Sequence, residues 1–169
     1  LAEISAMMRR QVERQLILAR SSGRAARTRV ELRPAVEAIV RVARRAPEAQ
    51  ALDWDLRLAD ASARIDVDDV NEAVGNLVEN AMKWARGAVR VTLSRSEDGM
   101  ILVVEDDGPG VPAGERDRLL RRGERGDVGA PGGHGLGLSI VEEIVSAAGG
   151  RLTLADSSLG GLAATLSLP

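Results

Sequence analysis

Residues 76 to 83 read Asn-Leu-Val-Glu-Asn-Ala-Met-Lys, which places two of the chain's three asparagines and its only lysine, among 23 Lys and Arg residues, in one short segment. On a helix advancing about 100° per residue, Asn76, Asn80 and Lys83 fall within roughly 60° of one another, and Val70, Val74, Leu77, Val78 and Ala81 gather on a stripe roughly 120° away. One face is core; the other is polar and clustered, and we read it as a ligand site. The competing reading is a solvated helix face. Such faces are filled with Glu, Lys, Arg or Gln rather than the poor helix former Asn. Asn71 projects away from the cluster and reads as a solvent-facing or first-turn residue.

A second signal follows. Met100 to Glu105 is an apolar run between Gly99 and Asp106-Asp107-Gly108-Pro109-Gly110, the pattern of a buried strand delivering its end into a glycine-rich turn. The Asp106 carboxylate then sits at the strand terminus, where a purine amino group can donate to it. Gly108 and Gly110 allow backbone to approach a flat ligand closely. A scan for dinucleotide folds finds Gly108-x-Gly110-x-x-Ala113, but Pro109 and Pro112 prevent a helix from opening there as that motif requires. The third signal is Gly132-Gly133-His134-Gly135-Leu136-Gly137-Leu138, followed by Ile140, Val141, Ile144, Val145 and Ala148 at helical spacing. Glycines ahead of an amphipathic helix leave backbone N–H groups free at its positive end, where phosphate binds. Alone, the glycine run reads more readily as a flexible loop, and it has neither the Walker Gly-Lys-Ser/Thr nor dinucleotide spacing.

Taken in order, Asn76-x-x-x-Asn80-Ala-x-Lys83, Asp106-x-Gly108-x-Gly110 and Gly133-x-Gly135-x-Gly137-Leu138 resemble the N, G1 and G2 boxes of sensor histidine kinase ATP-binding domains. These belong to the superfamily shared with DNA gyrase, Hsp90 and MutL. The resemblance runs from about Val30 to Leu168, and the wording from Val103 to Gly110 is most similar to PhoQ-type kinases. It implies a catalytic domain that binds ATP and Mg²⁺. By the resemblance, Asn80 holds the Mg²⁺ that bridges the phosphates, with Asn76 beside it, and Lys83 neutralises phosphate charge. Asn76 and Lys83 are then the catalytic pair, Asp106 reads the adenine amino group, and Trp84 stands where the family has an aromatic near the base. Gly108, Gly110, Gly133, Gly135, Leu136, Gly137 and Leu138 complete the nucleotide-binding set.

One position separates the branches of the superfamily. Its ATP-hydrolysing members carry a Glu that activates water four residues before the metal-binding Asn; here that residue is Asn76, an amide that is no base at neutral pH. Phosphoryl transfer needs mainly positioning and charge stabilisation. The function implied is transfer of the ATP γ-phosphate to a histidine on a dimerisation helix. A non-catalytic nucleotide-sensing module is the alternative, followed by a hydrolysing clamp. The segment 111–134 corresponds to the lid over the nucleotide, with Leu119 and Leu120 where the family has Phe. Arg121, Arg122 and Arg125 are candidate phosphate contacts, or solvated arginines. His134, the only histidine, lies in this lid and lacks the acceptor's surrounding pattern, so it contacts phosphate or solvent; the acceptor is expected upstream of Leu1.

The elements needed to position these residues follow from patterning. Residues 29–32 read as a short strand, Ala35 to Arg45 as a helix begun near Pro34, Leu52 to Leu58 and Arg64 to Val67 as strands, and about Asp68 to Ala85 as the ligand-bearing helix. Val89, Val91 and Leu93 alternate with polar residues as a half-buried strand. A helix from Gly135 and strands at Arg151 to Ala155 and Leu162 to Leu168, joined by the turn at Ser157 to Gly161, complete the pattern. The expected fold is an α/β (α+β) two-layer sandwich, a mixed sheet of about five to six strands under about three helices with a Bergerat-type ATP site, plus an N-terminal helix.

Residues 29–169 form the expected catalytic domain and 1–28 the end of a dimerisation and phosphoacceptor helix with its hinge. In that segment Leu1, Ile4, Met8, Gln11, Gln15, Leu18 and Ser22 recur every three or four residues; a helix packed on its own domain reads the same. Leu1 in place of an initiator Met suggests an excised segment. At 169 residues and 44% hydrophobic content the chain suffices for one well-buried domain plus an appendage. A formal charge of -2 and 1% aromatics oppose nucleic-acid binding. Without cysteine there is neither disulfide framework nor thiolate metal site. No apolar stretch approaches the roughly 18 residues of a membrane span. The resemblance implies a response regulator as partner, self-association through dimerisation helices, and a place as the cytoplasmic domain of a membrane-anchored bacterial kinase, with no membrane contact of its own.

Overall fold

The computed structural model describes residues 29–120 and 137–169. In chain order these form β1 (Arg29–Glu31), α1 (Leu32–Ala43), a 3-10 turn (Pro47–Ala49), β2 (Asp53–Leu58), β3 (Ser62–Arg64), α2 (Val67–Trp84), β4 (Ala88–Ser96) and β5 (Gly99–Asp106). After them come α3 (Ala113–Leu120), α4 (Gly137–Ala147), β6 (Arg151–Asp156) and β7 (Leu162–Leu168). Five strands make a mixed sheet in the order β2-β4-β5-β7-β6, in which only the β2–β4 pair is parallel. The chain order of that sheet puts β5 at its centre, so the strand ending in Asp106 is flanked on both sides. β1 and β3 pair antiparallel in a separate two-stranded sheet.

α2 shows why these residues choose helix. Asp66 caps its first turn, accepting the Asp68 N–H at 2.8 Å, and Asp68 and Asp69 sit at the positive end of the helix dipole. Val70, Ala73, Val74, Leu77, Val78 and Ala81 are all 3% exposed or less. Burying each Leu or Val stabilises by about 1.5–3 kcal/mol, whereas Asn or Gly in a helix costs about 0.5–1 kcal/mol. The apolar stripe therefore outweighs Asn71, Gly75, Asn76 and Asn80 together, and α2 can carry a polar cluster that propensity alone opposes. A Cβ at Gly75 would meet nothing within 4 Å. Gly75→Ala should accordingly stabilise the fold by about 0.5–1 kcal/mol, visible as a raised urea midpoint with unchanged slope.

β4 alternates as patterning predicts, and β5, an unbroken apolar run in sequence, alternates in burial as well: Val89, Val91, Leu93, Met100, Leu102 and Val104 face the helices, each at 2% exposure or less. Several boundaries differ from the sequence reading. The strand expected at Arg64 to Val67 lies at Ser62–Arg64, because Asp66 becomes a helix cap and Val67 the first helical residue. Leu32 opens α1 instead of ending β1; its N–H bonds the Ala61 carbonyl at 2.9 Å and its side chain is buried. α1 gives way at Ala43 to turns closed by Arg45 and Ala46 N–H groups, ahead of Pro47. A helix, α3, does open directly after Pro112, short and with no buried residue, so the two prolines delay it rather than forbid it. The five-stranded mixed sheet agrees with the sheet of about five to six strands expected; among the described residues the separate β1–β3 pair and a fourth α-helix, the short α3, add to that expectation.

Candidate functional site

α2, the end of β5 and the start of α4 converge on one rim. On α2, Asn76 and Asn80 are half-buried, Lys83 is exposed and Trp84 is half-buried. The two asparagines are not equivalent. Asn76 Nδ2 donates to the Glu72 carbonyl at 2.8 Å, and its Oδ1 lies 3.2 Å from where a Cβ on Gly137 would stand. Asn76 therefore faces the first turn of α4, and Gly137 leaves room for that approach. Asn80 makes no side-chain hydrogen bond to another described residue, which leaves its amide oxygen available to an incoming cation. Lys83 Nζ sits 5.2 Å from the Trp84 ring centroid, a cation–π contact that keeps the ammonium at this end of the helix.

At the end of β5, Asp106 is 2% exposed. Its Oδ1 accepts the N–H groups of Gly108 at 2.8 Å and Leu162 at 3.3 Å, which fixes the carboxylate from two sides. Burial pushes this carboxyl above the ordinary aspartate value, the two N–H groups oppose the rise, and the Asp107 charge adds to it. A methyl at Gly108 would stand closer than 3.0 Å to the Trp84 carbonyl oxygen and to Asp106 Oδ1, so this glycine marks a close backbone approach. Gly110 has φ +71°, a left-handed conformation that glycine adopts without strain.

Four residues that hold the site escape the sequence reading. Asp107 Oδ1 accepts the Arg86 N–H at 2.7 Å and the Gly87 N–H at 3.0 Å, stitching the end of α2 to the turn after β5. Burial works to raise its carboxyl, and the N–H groups of Gly87, Ala88 and Arg86 outweigh that and hold it below the ordinary value. Glu105 Oε1 accepts the Ser158 N–H and hydroxyl, both at 2.9 Å, and so anchors the β6–β7 turn on β5. That turn delivers Leu162 N–H to Asp106 and brings Gly161 so close that a methyl there would lie within 3.0 Å of Asp106 Oδ1 and of the Gly108 nitrogen. In sequence the signal is only the doublet Gly160-Gly161; the fold shows that the turn requires one of them, Gly160 at φ +106°, and that the second answers to a neighbour.

Of the remaining expected site residues, Leu138 is 8% exposed and packs into the core, so only its backbone is free to meet a ligand. Arg122, Arg125, Gly133, His134, Gly135 and Leu136 lie outside the described residues, as do Arg121 and most of the lid segment 111–134. No group of three or more His, Cys, Asp or Glu that could hold a metal occurs among the described residues. An amide oxygen from Asn80 with phosphate oxygens and water nevertheless forms a hard, all-oxygen donor set of the kind Mg²⁺ takes. Two clefts lie away from this rim, one between α1 and β2 and one between α1 and α2. Chemistry picks out the rim: a fixed buried acceptor, an amide oxygen without a partner among the described residues and an ammonium converge here.

The chain is similar in sequence and fold to known proteins. Residues 65–169 match the family model described as histidine kinase-, DNA gyrase B- and HSP90-like ATPase. Sensor protein kinase CarS of Pseudomonas aeruginosa is 44% identical over 124 residues, covering 73% of this chain and 25% of CarS. Two-component sensor PhoQ of the same organism is 49% identical over 90 residues, covering 53% of this chain and 20% of PhoQ. The chain thus spans about a quarter or less of these relatives. Among solved structures, the mycobacterial sensor histidine kinase MprB superposes with a TM-score of 0.77 at 27% identity, covering 84% of this chain and 97% of that one.

Proposed function

The chain belongs to the histidine kinase-, DNA gyrase B- and HSP90-like ATPase family, and from that premise we propose that it binds Mg²⁺-ATP on the rim of α2, β5 and α4 and supplies the γ-phosphate to a histidine on a dimerisation helix. Asp106 accepts the adenine amino group. Both of its backbone bonds fall on Oδ1, which leaves Oδ2 for the base. Asn80 is the magnesium ligand, Asn76 holds the start of α4 against α2, and Lys83 meets phosphate. The metal, when bound, neutralises charge on the phosphate oxygens. Gly137 and the backbone of Leu138 belong to the helix start that faces the phosphates; Arg122, Arg125, Gly133, His134, Gly135 and Leu136 complete the proposed nucleotide-binding set. In this reading residues 1–28 correspond to the C-terminal part of the dimerisation and phosphoacceptor helix with its hinge, 29–169 to the catalytic domain, and a response regulator is the phosphate's next acceptor. The names of the relatives, sensor kinases of bacteria, support this reading, and it implies a place as the cytoplasmic domain of a membrane-anchored kinase. No helix among the described residues is long and apolar enough to cross a membrane.

The observation that carries the proposal is the buried Asp106 carboxylate, pinned by two N–H donors beside a helix with a free Asn80 amide. Titration calorimetry with Mg²⁺-ATP tests it. Asn80→Ala should weaken binding on the order of a hundredfold, about 2.7 kcal/mol, because the phosphate charge loses its compensating metal. Equal affinity in the two proteins would remove Asn80 from the metal site. With Asn76 in place of a general base, hydrolysis should stay near background. Sustained phosphate release would favour the hydrolysing branch, whereas ATP binding with no transfer to a supplied acceptor helix would favour a non-catalytic sensor.

A further inference from the structure

Among the described residues, β2 is an open edge of the five-stranded sheet and pairs only with β4. Asp53 N–H bonds the Gly87 carbonyl at 2.7 Å and Ala59 N–H the Leu93 carbonyl at 2.9 Å, so the odd-numbered peptide groups of this strand face β4. Peptide groups alternate along a strand. Those of Trp54, Leu56 and Leu58 therefore point out of the sheet. Beside this edge α1 and β2 leave a cleft of about 630 Å³ between them. Its floor includes Leu56 and Leu58, with Leu56 37% exposed. Its walls carry Arg33, Arg41, Arg44 and Arg45 against one carboxylate, Glu37. Arg33 is engaged by Glu37 at 2.9 Å and by Asp60 at 3.1 Å. Arg41, Arg44 and Arg45 are exposed and make no ion pair with another described residue.

We propose that the free edge of β2 and the arginine-walled cleft beside it bind an extended acidic segment of a partner protein as an added strand. An open edge offers a row of main-chain donors and acceptors, and strand addition uses them for affinity while side-chain pockets supply specificity. The charge decides the occupant. One arginine in the last turn suffices to complement the α1 dipole, yet three unpaired arginines cluster here in a chain of net charge -2. A second copy would bring its own arginines against these, and residues 1–22 carry four arginines against two glutamates; both are repelled. An acidic strand is attracted, sets its carboxylates between the arginines and lays an apolar side chain on Leu56 and Leu58. None of these residues belongs to the nucleotide rim.

The probe is a fluorescein-labelled nonapeptide of alternating Glu and Val, titrated into the 169-residue chain and read by polarisation. It should bind in a salt-sensitive way, and its Lys-Val counterpart should not. The triple variant R41E/R44E/R45E, all exposed positions, should bind roughly tenfold or more weakly while keeping wild-type affinity for Mg²⁺-ATP, so the outcome is independent of the nucleotide reading. Two further peptides keep the charge but are N-methylated on one or the other alternate set of amides. One of them should fail, and the parent peptide should slow amide exchange at Trp54, Leu56 and Leu58. Equal binding of both methylated peptides would reduce the contact to charge alone and overturn strand addition. Undiminished binding by the triple variant would overturn the cleft. A concentration-dependent dimer that protects the same three amides without peptide would make a second copy the occupant.

Discussion

Asp106→Asn should lower ATP affinity by a hundredfold or more and leave the fold at least as stable as wild type at neutral pH. The amide keeps an Oδ1 to accept the Gly108 and Leu162 N–H groups, so the turn survives. Its Nδ2 then occupies the place of the carboxylate's second oxygen, and a donor faces the adenine amino group. A lost hydrogen bond to a charged acceptor together with two opposed donors costs about 3 kcal/mol. Inosine triphosphate, whose purine carries an acceptor where adenine has its amino group, should lose far less. A variant that kept the ATP preference of the wild type would separate Asp106 from base recognition.

Burial raises the Asp106 carboxyl above its ordinary value of 3.8, so the native state holds the proton more tightly than the unfolded chain. Native stability from this group is complete below 3.8 and declines as pH rises through the raised native value. Asparagine does not ionise and escapes that decline. Thermal melts of the two proteins should therefore converge in acid and separate toward neutral pH, with the variant on the stable side. The wild type keeps a carboxylate that costs it stability, as is common where a group serves binding.

Period and composition made α2, β4, β5 and β7 legible. α2, β4 and β7 are long enough to display their pattern, β5 shows as an unbroken apolar run, and each buries a full stripe or alternate face. The short elements were less so. β1 and β3 have three residues each, too few for a period, and their ends are set by tertiary hydrogen bonds such as Leu32 N–H to the Ala61 carbonyl. Within the site, residues whose type is unusual for their element stood out: asparagines and a lone lysine on a helix, an aspartate closing an apolar strand. Asp107 and Glu105 did not, because carboxylates next to a turn are ordinary in sequence. Their work is to bind N–H groups some 20 and 53 positions away, a relation that only the folded chain displays.

Gly161 carries the same lesson to its largest consequence. Gly161→Ala should lower stability by roughly 3 kcal/mol, since a methyl there meets backbone and a pinned carboxylate that have no rotamer by which to yield. For a domain of this size the melting temperature should fall by about 10 °C. The damage reaches function by a short path. To admit the methyl, the β6–β7 turn must move away from β5, which withdraws the Leu162 N–H from Asp106 Oδ1 and frees the carboxylate to turn. ATP binding should then fall with stability, even at temperatures where the variant remains folded. Gly160→Ala is the control. Its φ of +106° makes a side chain strained, but a Cβ there meets nothing within 4 Å. That substitution should cost about 1–3 kcal/mol through backbone strain alone and leave ATP affinity near wild type in the folded protein. If Gly161→Ala melted and bound nucleotide like wild type, the β6–β7 turn would have no part in holding Asp106, and the fixed acceptor at the centre of the site would need another origin.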